Sequence, residues 1–255
     1  MSNEQLRLLT KSDLADAYEL STAAGWNQTR EDWRMLLEIS PRGCFGVEAG
    51  GRLVATTTIV CYQQQIAWIG MVLTKAEYRG RGFARRLLTS ALDYASSMEM
   101  KTVKLDATEQ GKPLYEKLGF QAEEPVERWS RPGTSHEFPD MKAEELGETL
   151  LALDRQAFLA DRSSLLKALT VRSFTAVASA GFLLARPGRT TNYLGPCVAL
   201  DPGTVRQMIG EALNESSNAS WSWDLLPENK QAVAMARDFG FTPQRHLTRM
   251  ARGNT

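Results

Sequence analysis

The sequence Met71-Val-Leu-Thr-Lys-Ala-Glu-Tyr-Arg-Gly-Arg-Gly-Phe-Ala-Arg-Arg-Leu-Leu88 passes from an apolar segment through a short polar turn into an amphipathic one. It predicts a strand, a loop and a helix, in that order. The loop carries Arg79, Gly80, Arg81, Gly82, Phe83 and Ala84. Glycines at a strand-to-helix turn let the backbone approach a ligand, and the first helical N–H groups have no partner within the helix. Those donors and the helix dipole favour an anion, and Arg79, Arg81, Arg85 and Arg86 add positive charge. The local chemistry therefore predicts a phosphate or pyrophosphate cradle. Out of context Gly-x-Gly is a common turn, and Arg86 reads equally well as part of a solvated helix face.

Working outward, residues 83–98 place Phe83, Leu87, Leu88, Ala91, Leu92, Ala95 and Met98 on one helical face. Residues 102–108 alternate as a strand, and 114–119 form a short helix ended by Gly119. Upstream, 44–48, 53–61 and 65–73 read as consecutive strands, with Gly50-Gly51 as a hairpin turn between the first two. Thr29-x-x-Asp32 marks a capped helix with Trp33, Leu36 and Leu37 on its apolar side. Residues 131–140 are rich in turn formers, which predicts a linker between residues 1–133 and 140–255.

The second half repeats the pattern. Leu114-Tyr-Glu-Lys-Leu-Gly-Phe120 aligns with Met235-Ala-Arg-Asp-Phe-Gly-Phe241, each after a strand ending near an aspartate, Asp106 or Asp224. Gly70 before the apolar strand end aligns with Gly195. A long-period repeat of mixed α and β elements predicts duplicated domains. The copy lacks the glycine pair, having Asp201-Pro-Gly-Thr-Val-Arg206 instead, and has Ala236 where the first half has Tyr115.

Composition bounds the function. The 255 residues are 43% hydrophobic and 24% charged, with 30 basic and 30 acidic side chains. Zero net charge argues against nucleic acid or an anionic membrane as a partner. Three scattered cysteines and two isolated histidines predict neither a disulfide framework nor a metal site. A polar N-terminus and the lack of a membrane-length apolar run make a cytoplasmic location the expectation.

Arg79-x-x-Gly82-x-Ala84 followed by Leu114-Tyr-Glu-Lys-Leu-Gly-Phe120 resembles the motif pair of the GNAT superfamily of N-acetyltransferases, over roughly residues 5–131. The second half is similar to a divergent domain of the same type. The resemblance implies an α/β (α+β) fold of two tandem domains, each a mixed, mostly antiparallel sheet flanked by helices, with one splayed parallel strand pair. It implies that residues 1–133 bind acetyl-CoA and catalyse, while 140–255 keep the fold without the cofactor site. Backbone groups of Val72, Leu73 and Thr74 would pair with the pantetheine arm and thioester, and Arg79, Gly80, Arg81, Gly82, Phe83, Ala84 and Arg85 would surround the pyrophosphate.

By the same resemblance Tyr115 would protonate the departing thiolate, and the acetyl group would pass directly to a primary amine with no metal and no covalent intermediate. The general base stays open: Asp106 reads more readily as a cap, and Glu109, Glu31 and Asp32 are further candidates. The expected acceptor is a small-molecule amine, and the expected assembly is a monomer acting as an internal pseudo-dimer, or a homodimer. A non-catalytic acyl-CoA sensor or scaffold is the competing reading. It would keep the cradle without needing Tyr115.

Overall fold

The computed structural model describes residues 4–253, which form two compact units. One unit runs to Glu123 and takes in the segment from Arg249; the other is Glu124–Thr248. The first contains β1 (Glu4–Leu8), α1 (Leu14–Ala23), α2 (Arg30–Ile39), β2 (Cys44–Ala49), β3 (Arg52–Tyr62), β4 (Ile66–Thr74), α3 (Phe83–Ser97), β5 (Thr102–Ala107) and α4 (Lys112–Lys117). β6 (Gln121–Arg131) begins there and continues into the second unit. That unit holds α5 (Glu148–Phe158), α6 (Ser163–Thr170), β7 (Phe174–Ala178), β8 (Gly181–Arg186), β9 (Asn192–Ala199), α7 (Pro202–Glu215), β10 (Trp221–Leu225) and α8 (Lys230–Asp238). β11 (Thr242–Gly253) starts in the second unit and ends in the first.

In the first unit the strand order is β1-β2-β3-β4-β5-β11, antiparallel from β1 to β4 and parallel between β4 and β5. The second unit repeats it as β7-β8-β9-β10-β6, with β11 beside β6 and the parallel pair at β9 and β10. Thus each sheet is mixed and mostly antiparallel. The sequence places the division near residue 133, whereas the compact units exchange their closing strands. β6 pairs with β10, and the end of β11 lies beside β5. At 11 and 12 residues, these two strands are long enough to pass from one unit into the next.

Local chemistry explains most element ends. Thr29 accepts from the Asp32 N–H at 3.2 Å while Asp32 accepts from the Thr29 N–H at 2.7 Å, a capping box that contributes about 1 kcal/mol. Gly50 and Gly51 both take positive φ at the β2–β3 turn, as a tight hairpin requires. α4 and α8 end alike. Gly119 and Gly240 are left-handed, and the Phe120 and Phe241 N–H groups reach back to the carbonyls of Tyr115 and Ala236. Both phenylalanines are buried.

Two cores fill the first unit. Phe83, Leu87, Leu88, Ala91, Leu92 and Ala95 of α3 pack with Ala67, Ile69, Val103 and Leu105 of the sheet. Leu20, Trp33 and Leu37 of α1 and α2 cover the opposite face with Met71 and Leu73. Each fully buried Leu of this kind stabilises by about 2 kcal/mol. Trp221 and Trp223 are core residues of the second unit, as sheet packing predicts. No helix among the described residues is long and apolar enough to cross a membrane.

Candidate active site

β4 and β5 pair in parallel only over Ile66–Trp68 against Thr102–Lys104. Beyond Trp68 the strands fork, leaving the polar backbone edge of β4 without a β5 ladder. On its other side β4 carries a bulge. Thr58 pairs with Gly70 and Thr56 with Leu73, so three steps of β4 match two of β3. Met71 sits at the irregularity with φ of +51°, a conformation of order 1–3 kcal/mol uphill for a non-glycine residue. The bulge reverses the side-chain alternation. Ala67 and Ile69 face α3, whereas Met71 and Leu73 face α1 and α2, and Val72 returns to the α3 side.

The loop after β4 brings the cradle residues together. Gly80 and Gly82 have φ of +77° and +80°, and a Cβ on either would meet nothing within 4 Å. Their glycine character therefore serves backbone conformation and leaves open space over the start of α3. Gly82 is the N-cap of α3 and supplies no side-chain cap, so the first-turn donors face outward. Phe83 is buried and stacks with Tyr78 at 6.3 Å, which anchors the loop, and the Arg81 guanidinium lies 4.9 Å over the Tyr78 ring. Arg79 reaches the Thr74 carbonyl at 3.4 Å, and Arg85 is exposed on the same turn. Arg86 pairs with Glu4 at 3.6 Å, which favours the solvated-face reading for that residue. This arrangement fits a polyphosphate: open donors, a dipole and three exposed guanidinium groups.

Tyr115 lies on α4 in the α3-side core, 8% exposed, with its ring edge-on to Phe120 at 6.1 Å. Burial pushes its phenol up to about 12, so it carries its proton throughout the neutral range. Gly111 leaves room for the ring, since a Cβ there would stand 3.1 Å from Tyr115 Cε2.

Three of the four candidate bases, Asp106, Glu31 and Asp32, are engaged by partners within the protein. Asp106 does not cap the next segment; the Thr108 hydroxyl accepts from the Gly111 N–H at 3.1 Å in the turn that leads into α4. The Asp106 carboxylate takes two bonds from Arg249, at 2.9 and 3.3 Å, and Arg249 lies 5.0 Å over Trp68. Sequence reading missed Arg249 because 143 residues separate it from Asp106. Glu31 pairs with Arg34 and Asp32 caps α2, so both serve their helix, while Glu109 is exposed. Burial raises the thiols of Cys44 to about 12 and Cys61 to about 11, so neither supplies a thiolate at neutral pH.

The second unit repeats the fork and changes its contents. β9 and β10 pair over Asn192–Leu194 against Trp221–Trp223, and β9 also fits three steps, Leu194 to Cys197, against two of β8. Asp224 receives Arg128 twice at 2.7 Å, as Asp106 receives Arg249. The helix after the fork differs. Asp201 caps α7, accepting from the Thr204 N–H at 2.9 Å and the Thr204 hydroxyl at 2.7 Å, and Pro202 removes one donor. Its own carboxylate occupies the place an anion would take. Ala236, fully buried, stands where Tyr115 stands in the first unit.

Residues 10–120 match the acetyltransferase (GNAT) family, and residues 146–255 match an acetyltransferase (GNAT) domain. YitH of Bacillus subtilis, named as an uncharacterised N-acetyltransferase, is 26% identical over 221 residues, covering 81% of this chain and 77% of its own length. A Pyrococcus horikoshii structure, provisionally called an acetyltransferase, shares the fold with a TM-score of 0.85 at 24% identity, over 99% of this chain and 90% of that one. A tandem GNAT protein from the clavulanic acid biosynthesis pathway shares it with a TM-score of 0.67 at 14% identity, over 99% and 100% of the two chains. With a family match in each half and the two-unit fold common to these structures, the chain belongs to the GNAT family as a tandem N-acetyltransferase.

Proposed function

We propose that the chain transfers an acetyl group from acetyl-CoA directly to a primary amine of a small-molecule acceptor, and that only the first unit does so. The observation that carries this reading is the contrast between two helix starts. α3 begins at an uncapped glycine among exposed arginines, whereas α7 begins at its own aspartate followed by a proline. Arg79, Gly80, Arg81, Gly82, Phe83, Ala84 and Arg85 hold the pyrophosphate in this reading, and the backbone of Val72, Leu73 and Thr74 lines the pantetheine arm and thioester. Acetyl-CoA supplies the activated acyl group. An N–H of β4 stabilises developing oxyanion charge, a contribution of about 3 kcal/mol for such a donor. Tyr115, protonated at working pH, hydrogen-bonds and protonates the departing thiolate.

Support for this acceptor class comes from the side of β5 that carries Asp106. There Asp106 pairs with Arg249 and Glu123 with Lys104, so these two carboxylates are already neutralised and offer a lysine-rich protein tail little attraction. Trp68 and these paired charges suit a compact polar amine, bound by a monomer acting as an internal pseudo-dimer or by a homodimer.

Titration calorimetry tests the proposal. Acetyl-CoA is expected to bind once per chain, and Arg81→Ala to weaken it by about tenfold, the loss of one charge-assisted contact. Two equivalents bound, or an unchanged affinity in the variant, would remove the assignment.

A further inference from the structure

Thr56 on β3 is fully buried, and its hydroxyl donates to the Met71 carbonyl at 2.8 Å. Thr57, also buried, donates to the Gly70 carbonyl at 3.4 Å. The two hydroxyls therefore hold the two carbonyls that flank the bulge, on either side of the residue at positive φ. The Met71 carbonyl and the Val72 N–H belong to one planar trans peptide and point in opposite directions. With the carbonyl held from β3, the Val72 N–H is turned to the β5 side, into the fork where β4 and β5 have ceased to pair.

The second unit supplies a natural control. Leu183 faces Cys197 there as Thr56 faces Leu73, and Leu184 follows where Thr57 follows. Both leucines are fully buried and have no hydroxyl to offer. That bulge instead uses Gly195 at φ of +131°, with Arg186 donating to its carbonyl at 3.2 Å. A glycine needs no support in this conformation, whereas methionine does. Both bulge carbonyls are held, but only in the unit with the open cradle are the donors buried hydroxyls beneath a non-glycine residue at positive φ.

We propose that Thr56 is a positioning residue of the transfer reaction, holding the Met71–Val72 peptide so that the Val72 N–H faces the thioester oxygen in the β4–β5 fork. The inference rests on the reading that acetyl-CoA lies in that fork. Replacing the hydroxyl with a methyl group leaves the Met71 carbonyl without this donor and frees the peptide to turn over, which withdraws the N–H from the fork.

Amide spectra of the ¹⁵N-labelled full chain, titrated with CoA and with acetyl-CoA, test it. Both ligands are expected to shift the amides of residues 80–85, and acetyl-CoA alone to shift Val72. In Thr56→Val the shifts at 80–85 persist and the acetyl-dependent shift at Val72 is lost, while Thr56→Ser, which keeps the hydroxyl, retains both. An acetyl-dependent shift surviving in Thr56→Val overturns the inference and leaves the cofactor reading standing. No shift at 80–85 with either ligand overturns both. Should Thr56→Val fail to fold, the wild-type spectra still decide, because shifts at 80–85 without an acetyl-dependent change at Val72 refute the role.

Discussion

α3 and α7 start from the same place in two copies of one fold, at the end of a bulged strand that has just parted from its parallel neighbour. One start is left open and the other is closed by its own chain. Gly82 exposes the α3 donors at a left-handed cap, whereas Asp201 consumes those of α7. Meanwhile the paired Asp and Arg beside the fork, the bulge and the glycine-ended helix persist in both units. What a sheet needs in order to fold has been kept twice, and what an anion needs has been kept once. The two requirements separate at a handful of residues.

Deleting residues 249–255 breaks the comparison most severely, because it removes an element that the first unit does not encode in its own half. Met250 is fully buried in the α3-side core and Arg249 holds Asp106. The lost methionine alone costs about 2–5 kcal/mol, a large share of the 5–15 kcal/mol typical of a domain. Thermal denaturation should show the first unit unfolded, and a fragment of residues 1–133 should fare no better. A soluble, active fragment would show that the exchanged strand is dispensable.

Tyr115→Phe is the next largest change expected. Turnover should fall roughly a hundredfold with acetyl-CoA affinity unchanged, the size of a general-acid contribution. Burial raises this phenol, so the folded protein keeps it neutral while the unfolded chain ionises it near pH 10. The associated stability is fully present below pH 10 and is lost as pH rises towards about 12. Turnover of the wild type should accordingly show no loss from Tyr115 across neutral and mildly alkaline pH. Equal turnover in the phenylalanine variant would leave the contrast with Ala236 without a catalytic meaning.

Gly82→Asp imports the α7 cap into α3. A carboxylate at that helix start competes with the incoming anion and should weaken acetyl-CoA binding by roughly tenfold to a hundredfold in calorimetry. The smallest effect belongs to Asp201→Ala. It should lower stability by about 1 kcal/mol through the lost cap while leaving acetyl-CoA affinity as it was. A change in affinity there would mean that the α7 end also meets the ligand.

Much of this contrast was legible in the chain. Strand alternation, helical periodicity, glycine caps and the turn Arg79–Ala84 are local signals, and the repeat itself exposed the missing glycines and the missing tyrosine. Three features were not legible. The bulge at Met71 escapes because nothing in an apolar strand marks a methionine at positive φ, so Ile69, Met71 and Leu73 read as one face although they occupy two. Thr56 and Thr57 look like ordinary strand threonines until the bulge gives their hydroxyls carbonyls to hold. The partner of Asp106 lies in β11, and pairing at that separation leaves no periodic trace.

The exchanged closing strands also bear on how the chain is made. A growing chain completes β5 some 140 residues before Arg249 emerges to lie beside it. At the usual 5–20 residues per second, that is a wait of roughly 7–28 s. Through that interval the edge of β5 is open and the methionine that seals its core has not been synthesised, so the nascent first unit is a substrate for chaperones and an aggregation hazard. An acetyltransferase arranged this way becomes competent only after residues 249–253 have emerged, and a ribosome that stops before them releases a chain whose first unit lacks its closing strand.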